Sequence, residues 1–131
     1  MPHITVASLV GDEVTKVPPD SPLAEVAAVL HDSGIGAVVV GEGARPEGIV
    51  TERDLVAAMA KGLDPGSTTA GETATRSLQW VDADATVDEV ANEMMDNWIR
   101  HVLVESDGAL VGIVSLRDLV AYYASGSDEL A

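Results

Sequence analysis

Thr51 and Asp54 stand three residues apart, and Ser115 and Asp118 repeat the arrangement 64 residues later. Each pair follows an apolar β-branched step, Ile49-Val50 or Ile113-Val114. That order reads as the end of a strand, a hydroxyl at a helix N-cap, and a carboxylate one turn inside the helix. A helix N-terminus presents unpaired N–H groups and partial positive charge, so it can hold a phosphate. A carboxylate beside it can accept hydrogen bonds from a sugar diol. Both stretches therefore read as halves of a nucleotide site. A second reading accounts for the same residue types: Thr-x-x-Asp is a near capping box that serves the helix alone. The two are compatible, since a cap can exchange for a phosphate.

The elements that position these pairs come as a repeat. Shifting the chain by 64 residues aligns Thr15–Ala60 with Gln79–Ala124 without a gap, and 18 of the 46 pairs are identical. Such agreement marks two copies of one unit. Thr5–Val10 is a short lead-in expected to be helical, matched weakly by Thr69–Ala74. Val14–Val17 and Leu78–Val81 read as first strands. Ser21, followed by Pro22 at a first helical position, is expected to cap a helix, with Leu23, Val26, Ala27 and Leu30 at helical spacing. Thr86-Val87-Asp88-Glu89 reads as a capping box in the second copy, and Gly34 as the stop of the first helix. Ala37–Val40 and Val102–Val104 are apolar runs suited to buried strands. Gly41–Glu47 and Glu105–Val111 read as hairpin loops, the latter with an Asp107-Gly108 turn. The helices after the two pairs are expected to bury Leu55, Ala58 and Met59, and Leu119, Tyr122 and Tyr123. The chain divides into residues 1–61, a linker at 62–68, residues 69–124, and a polar tail at 125–131 expected to lack structure. The fold class is α/β, a mixed α+β arrangement of two β-α-β-β-α units of about 46 residues. Units that small rarely bury enough apolar surface alone, so the copies are expected to pack as a pseudo-two-fold pair.

Composition limits the function. Of 131 residues, 47% are hydrophobic and only 3% aromatic, so the core must be aliphatic. The net charge of −15 opposes nucleic acid and anionic membranes, whose binding depends on Lys and Arg. No cysteine is present, which excludes disulfides and thiolate metal sites. His3 and His31 lack partners at metal-ligand spacing, so no metal site is expected. No signal peptide or apolar span is legible, and a cytoplasmic location is expected. A Cys nucleophile and a Gly-x-Ser-x-Gly elbow are both missing, and no enzyme is expected.

The repeated motif, Gly48-Ile49-Val50-Thr51-Glu52-Arg53-Asp54 and Gly112-Ile113-Val114-Ser115-Leu116-Arg117-Asp118, resembles that of the CBS domain family, named after cystathionine β-synthase. Its members occur as tandem pairs, and the resemblance covers roughly residues 5 to 124. It implies that Asp54 and Asp118 bind ribose hydroxyls and that Thr51 and Ser115 contact phosphate. It places the adenine slot at Val14, Thr15, Ala37 and Val38 in one copy and at Leu78, Gln79, His101 and Val102 in the other. It implies AMP, ADP, ATP or S-adenosylmethionine as regulatory ligand, with no required cofactor; some members bind no known ligand. It also implies a homodimer and, since no catalytic or transport domain is fused here, a separate protein target.

Arg100-His101 replaces Gly36-Ala37 of the first copy. The resemblance sets this basic pair against the phosphates of the nucleotide held by Asp54; the residues alone also fit a surface Arg beside a hydrogen-bonded His. Arg53 and Arg117 lie in the first helical turns, as phosphate contacts or as partners of nearby carboxylates. Trp80 and Trp98 are expected to pack against helices. Two functions follow: a nucleotide-binding regulatory pair, or a ligand-free interaction dimer whose motifs only cap helices.

Overall fold

A computed structural model describes residues 4–10 and 14–130, with side chains described through residue 125. The chain forms two compact units. The first, Val14–Leu78, holds β1 (Lys16–Val17), α1 (Leu23–Ser33), β2 (Ala37–Val40), β3 (Gly48–Thr51), α2 (Glu52–Ala60) and α3 (Ala70–Thr73). The second joins the N-terminal segment, with its 3-10 turn Val6–Leu9, to β4 (Trp80–Asp82), α4 (Val87–Asn97), β5 (His101–Ser106), β6 (Ala109–Ser115) and α5 (Leu116–Leu130). Repeats in sequence and units in space thus differ. Val6 is buried among Val81, Val87, Val90 and Met94 of the second unit, and Ala70 among Val17, Val26 and Val38 of the first. Each lead-in completes the other copy's core.

Both units carry a three-stranded sheet with one parallel and one antiparallel ladder, in the orders β1-β2-β3 and β4-β5-β6. The middles of the central strands are Val or Leu, and Val38, Val39, Val40, Val102, Leu103 and Val104 are fully buried. That continuity is what a strand covered on both faces requires. The two hairpins differ. Asp107 and Gly108 both adopt positive φ, 53° and 80°, giving the two-residue turn that matches strand twist. The ladder therefore runs from Ser106 to Ala109, further than the expected loop allowed. The first copy keeps a loop between Val40 and Gly48.

Several local expectations are corrected. Ser21 does not cap α1. Its N–H donates to the Pro18 carbonyl and its own carbonyl accepts from Ala70 N–H. Pro22 takes the N-cap position, and the first N–H groups, of Leu23 and Ala24, donate to the carbonyls of Thr68 and Pro65. The linker thus satisfies donors that a local hydroxyl would otherwise satisfy. Thr86 makes the outward half of its box, accepting from Glu89 N–H at 3.1 Å. Met59 is 80% exposed rather than buried, and Tyr123 is exposed as well. Trp98 is 88% exposed rather than packed away, whereas Trp80 is half-buried in β4. The segment expected to be an unstructured tail continues α5 as far as Leu130. His3 lies outside the described residues, as does Ala131.

Candidate functional site

Each motif closes a strand and opens a helix through a reciprocal cap. In the first unit Thr51 N–H and Thr51 Oγ1 both donate to Asp54 Oδ2, at 2.8 and 3.1 Å. Asp54 N–H returns a bond to Thr51 Oγ1 at 3.2 Å. In the second, Ser115 N–H donates to Asp118 Oδ2 at 2.8 Å and Asp118 N–H to Ser115 Oγ at 3.1 Å. The first helical N–H is taken too: Glu52 donates to the Gly36 carbonyl and Leu116 to the Arg100 carbonyl. Of the four orphan donors at each helix start, only the N–H of Arg53 or Arg117 stays open among the described residues. An incoming phosphate therefore gains the full set of donors only by exchanging with the cap.

The neighbouring strands align further expected residues with the caps. Ala37 is the cross-strand partner of Thr51, and His101 that of Ser115. Val39 N–H donates to the Thr15 carbonyl, and Leu103 N–H to the Gln79 carbonyl, so these segments run beside the central strands at the motif end. Val38 and Val102 are fully buried core residues, so only their main chain can face a ligand. Val14, Thr15, Ala37, Leu78, Gln79 and His101 are half-buried. Arg53, Arg100 and Arg117 are exposed, and no ion pair involves Arg53 or Arg117 among the described residues; Arg76 pairs with Glu47 at 3.9 Å.

The motif glycines have a reason that sequence reading missed. A Cβ on Gly48 would lie 2.7 Å from the Thr75 carbonyl oxygen and 3.0 Å from Ala74 Cβ. A Cβ on Gly112 would lie 2.2 Å from Val10 Cγ1. Ala74 and Val10 are again 64 residues apart, so each lead-in crosses its glycine at the same place. Thr75 also stands out here. Its backbone bridges Ile49 in both directions, at 2.8 and 3.1 Å. Its hydroxyl donates to Asp54, 3.2 Å from Oδ1 and 3.4 Å from Oδ2.

The CBS domain family model matches residues 6–61 and again residues 70–125. The chain belongs to the CBS domain family. Hypoxic response protein 1 of Mycobacterium tuberculosis is 37% identical over 120 residues, covering 90% of this chain and 84% of that protein. Its crystal structure, with two coordinated zinc ions, aligns with a TM-score of 0.73 at 36% identity over 90% of this chain and 98% of that one. A CBS domain protein of Pyrobaculum aerophilum, solved in complex with AMP, aligns with a TM-score of 0.80 at 29% identity, over 93% and 99% of the two chains. Another CBS domain pair, in complex with 5′-methylthioadenosine and S-adenosyl-L-methionine, aligns with a TM-score of 0.84 at 25% identity, over 95% and 98%. Among the described residues no group of three or more His, Cys, Asp or Glu could hold a metal ion. Among those residues, no helix is long and apolar enough to cross a membrane.

Proposed function

We propose that this CBS pair binds an adenosine-type ligand, AMP, ADP, ATP or S-adenosylmethionine, and reports it to a separate protein as a regulatory rather than catalytic module. The observation that carries this reading is the duplicated cap. Two carboxylates, Asp54 and Asp118, stand at matching strand-to-helix junctions in a fold of which some solved members hold AMP or S-adenosyl-L-methionine. Asp54 and Asp118 are assigned to the ribose diol. Thr51 and Ser115, with the open N–H groups of Arg53 and Arg117, are assigned to phosphate. Arg100 and His101 are also assigned to phosphate, and Arg100 brings the positive charge that a polyphosphate needs in a chain of net charge −15. The main chain at Val38 and Val102, together with Val14, Thr15, Ala37, Leu78 and Gln79, is assigned to the adenine.

Exposed apolar residues recur at matching positions of α2 and α5. Val56 corresponds to Val120 and Met59 to Tyr123, and all four are exposed. We assign them to contact with a second copy, so that the working form is a homodimer. This surface also serves the rival reading, a ligand-free interaction dimer in the cytoplasm.

A thermal-shift screen against AMP, ADP, ATP and S-adenosylmethionine separates the two. A ligand at 100 times its dissociation constant should stabilise the fold by about 2.7 kcal/mol. Absence of a shift with all four would leave the interaction dimer.

A further inference from the structure

Thr75 occupies acceptor positions that a ribose diol needs. A carboxylate offers about four lone-pair sites. At Asp54, Oδ2 already accepts from Thr51 N–H and Thr51 Oγ1, at 2.8 and 3.1 Å. The Thr75 hydroxyl sits across both oxygens, at 3.2 and 3.4 Å. One lone pair of Oδ1 stays open, whereas a vicinal diol donates twice. Its second hydroxyl must therefore take the place of Thr75.

Thr75 is held there by its backbone. The two-way pairing with Ile49 fixes the segment that carries it, and Gly48 lets that segment approach to where a Cβ would clash. Asp118 has a different setting. Its Oδ2 accepts from Ser115 N–H, and no other donor reaches it among the described residues. The residue 64 positions before Thr75 is Gly11, which carries no hydroxyl. It lies outside the described residues.

We propose that Thr75 is an affinity-setting residue: its hydroxyl competes with a ligand's vicinal diol for Asp54. This rests on the adenosine-ligand reading above. Thr75 needs only to rotate its side chain to yield, so the competition sets an affinity and does not block the site.

Calorimetric titration of AMP into Thr75→Val, in an Asp118→Ala background that leaves only the Asp54 site, tests it. Valine keeps the β-branched shape and the backbone pairing and removes only the hydroxyl. Losing one competing hydrogen bond should tighten AMP about two- to tenfold. Thr75→Ser should bind as Thr75 does. The same Thr75→Val change in an Asp54→Ala background should leave AMP affinity unchanged, which a general structural effect would not. The gain should shrink for 2′-deoxy-AMP, which donates once and can use the open lone pair. AMP binding that Thr75→Val leaves unchanged or weakens removes this proposal alone. AMP binding to neither the wild type nor any variant removes the nucleotide reading and the competition with it.

Discussion

Tyr123 donates its phenolic hydrogen to Asp88 Oδ1 and so ties α5 to α4. Partial burial, then the hydrogen bond and charge of Asp88 and the neighbouring Tyr122, push the phenol from 10.0 up to about 12. A raised pKa stabilises the fold wherever the group is still protonated in the unfolded chain. The contribution is therefore whole below pH 10 and disappears as the pH rises towards 12. Urea midpoints of wild type and Tyr123→Phe should converge across that window. Parallel curves would show that the tie contributes nothing.

Trp98 ends α4 as Gly34 ends α1. Their N–H groups donate to Met94 and Leu30, and both backbones are left-handed, with φ of 55° and 65°. The left-handed state costs a residue with a Cβ roughly 1–2 kcal/mol, and glycine gives back part of that gain through its unfolded-state entropy. The exposed indole offers little packing to lose. Trp98→Gly should therefore stabilise the chain by about 0.5–1 kcal/mol in urea unfolding followed by circular dichroism. A loss of stability would mean that the indole covers something.

Gly48 faces backbone and Gly112 faces a side chain. Gly48→Ala should cost about 1–3 kcal/mol through overpacking, because the Thr75 carbonyl cannot retreat without breaking its pairing with Ile49. Gly112→Ala should cost a similar amount, and Val10→Ala should relieve it. In a double-mutant cycle the combined loss should fall below the sum of the single losses. Strict additivity would contradict the close approach of Val10.

The repeat explains why so much was legible. Helical spacing and β-branched runs recorded twice fixed α1, α4 and the central strands, and Thr51–Asp54 and Ser115–Asp118 form the reciprocal caps their spacing implied. What stayed hidden involved partners distant in sequence. The carbonyls of Pro65 and Thr68 cap α1 in place of Ser21. The lead-ins join the opposite copies' cores, since Val6 and Ala70 carry no mark of which core takes them. Met59 and Trp98 lie at apolar positions that the fold leaves exposed, which periodicity cannot reveal without knowing the width of the covered face. Thr75 leaves no mark in the sequence because only the folded chain brings it to Asp54, 21 residues away.

The exposed Val56, Met59, Val120 and Tyr123 make a prediction about assembly. Each chain carries a charge of −15, so two copies repel, and salt should tighten their dimer by screening. Val56→Glu with Val120→Glu should abolish it. Sedimentation of the wild type as a 13.6 kDa monomer at high protein and high salt would contradict the assignment.

The central claim is that Asp54 and Asp118 hold the ribose of an adenosine ligand. A charge-assisted hydrogen bond is worth roughly 1.5–3 kcal/mol, so each Asp→Ala change should weaken its own site by at least about tenfold. The direct measurement is calorimetric titration of AMP and S-adenosylmethionine into wild type, Asp54→Ala, Asp118→Ala and the double variant, with folding checked by circular dichroism. The account predicts binding to wild type, partial loss in each single variant and none in the double. A folded double variant that binds as wild type does, or a wild type that binds neither ligand, would contradict it.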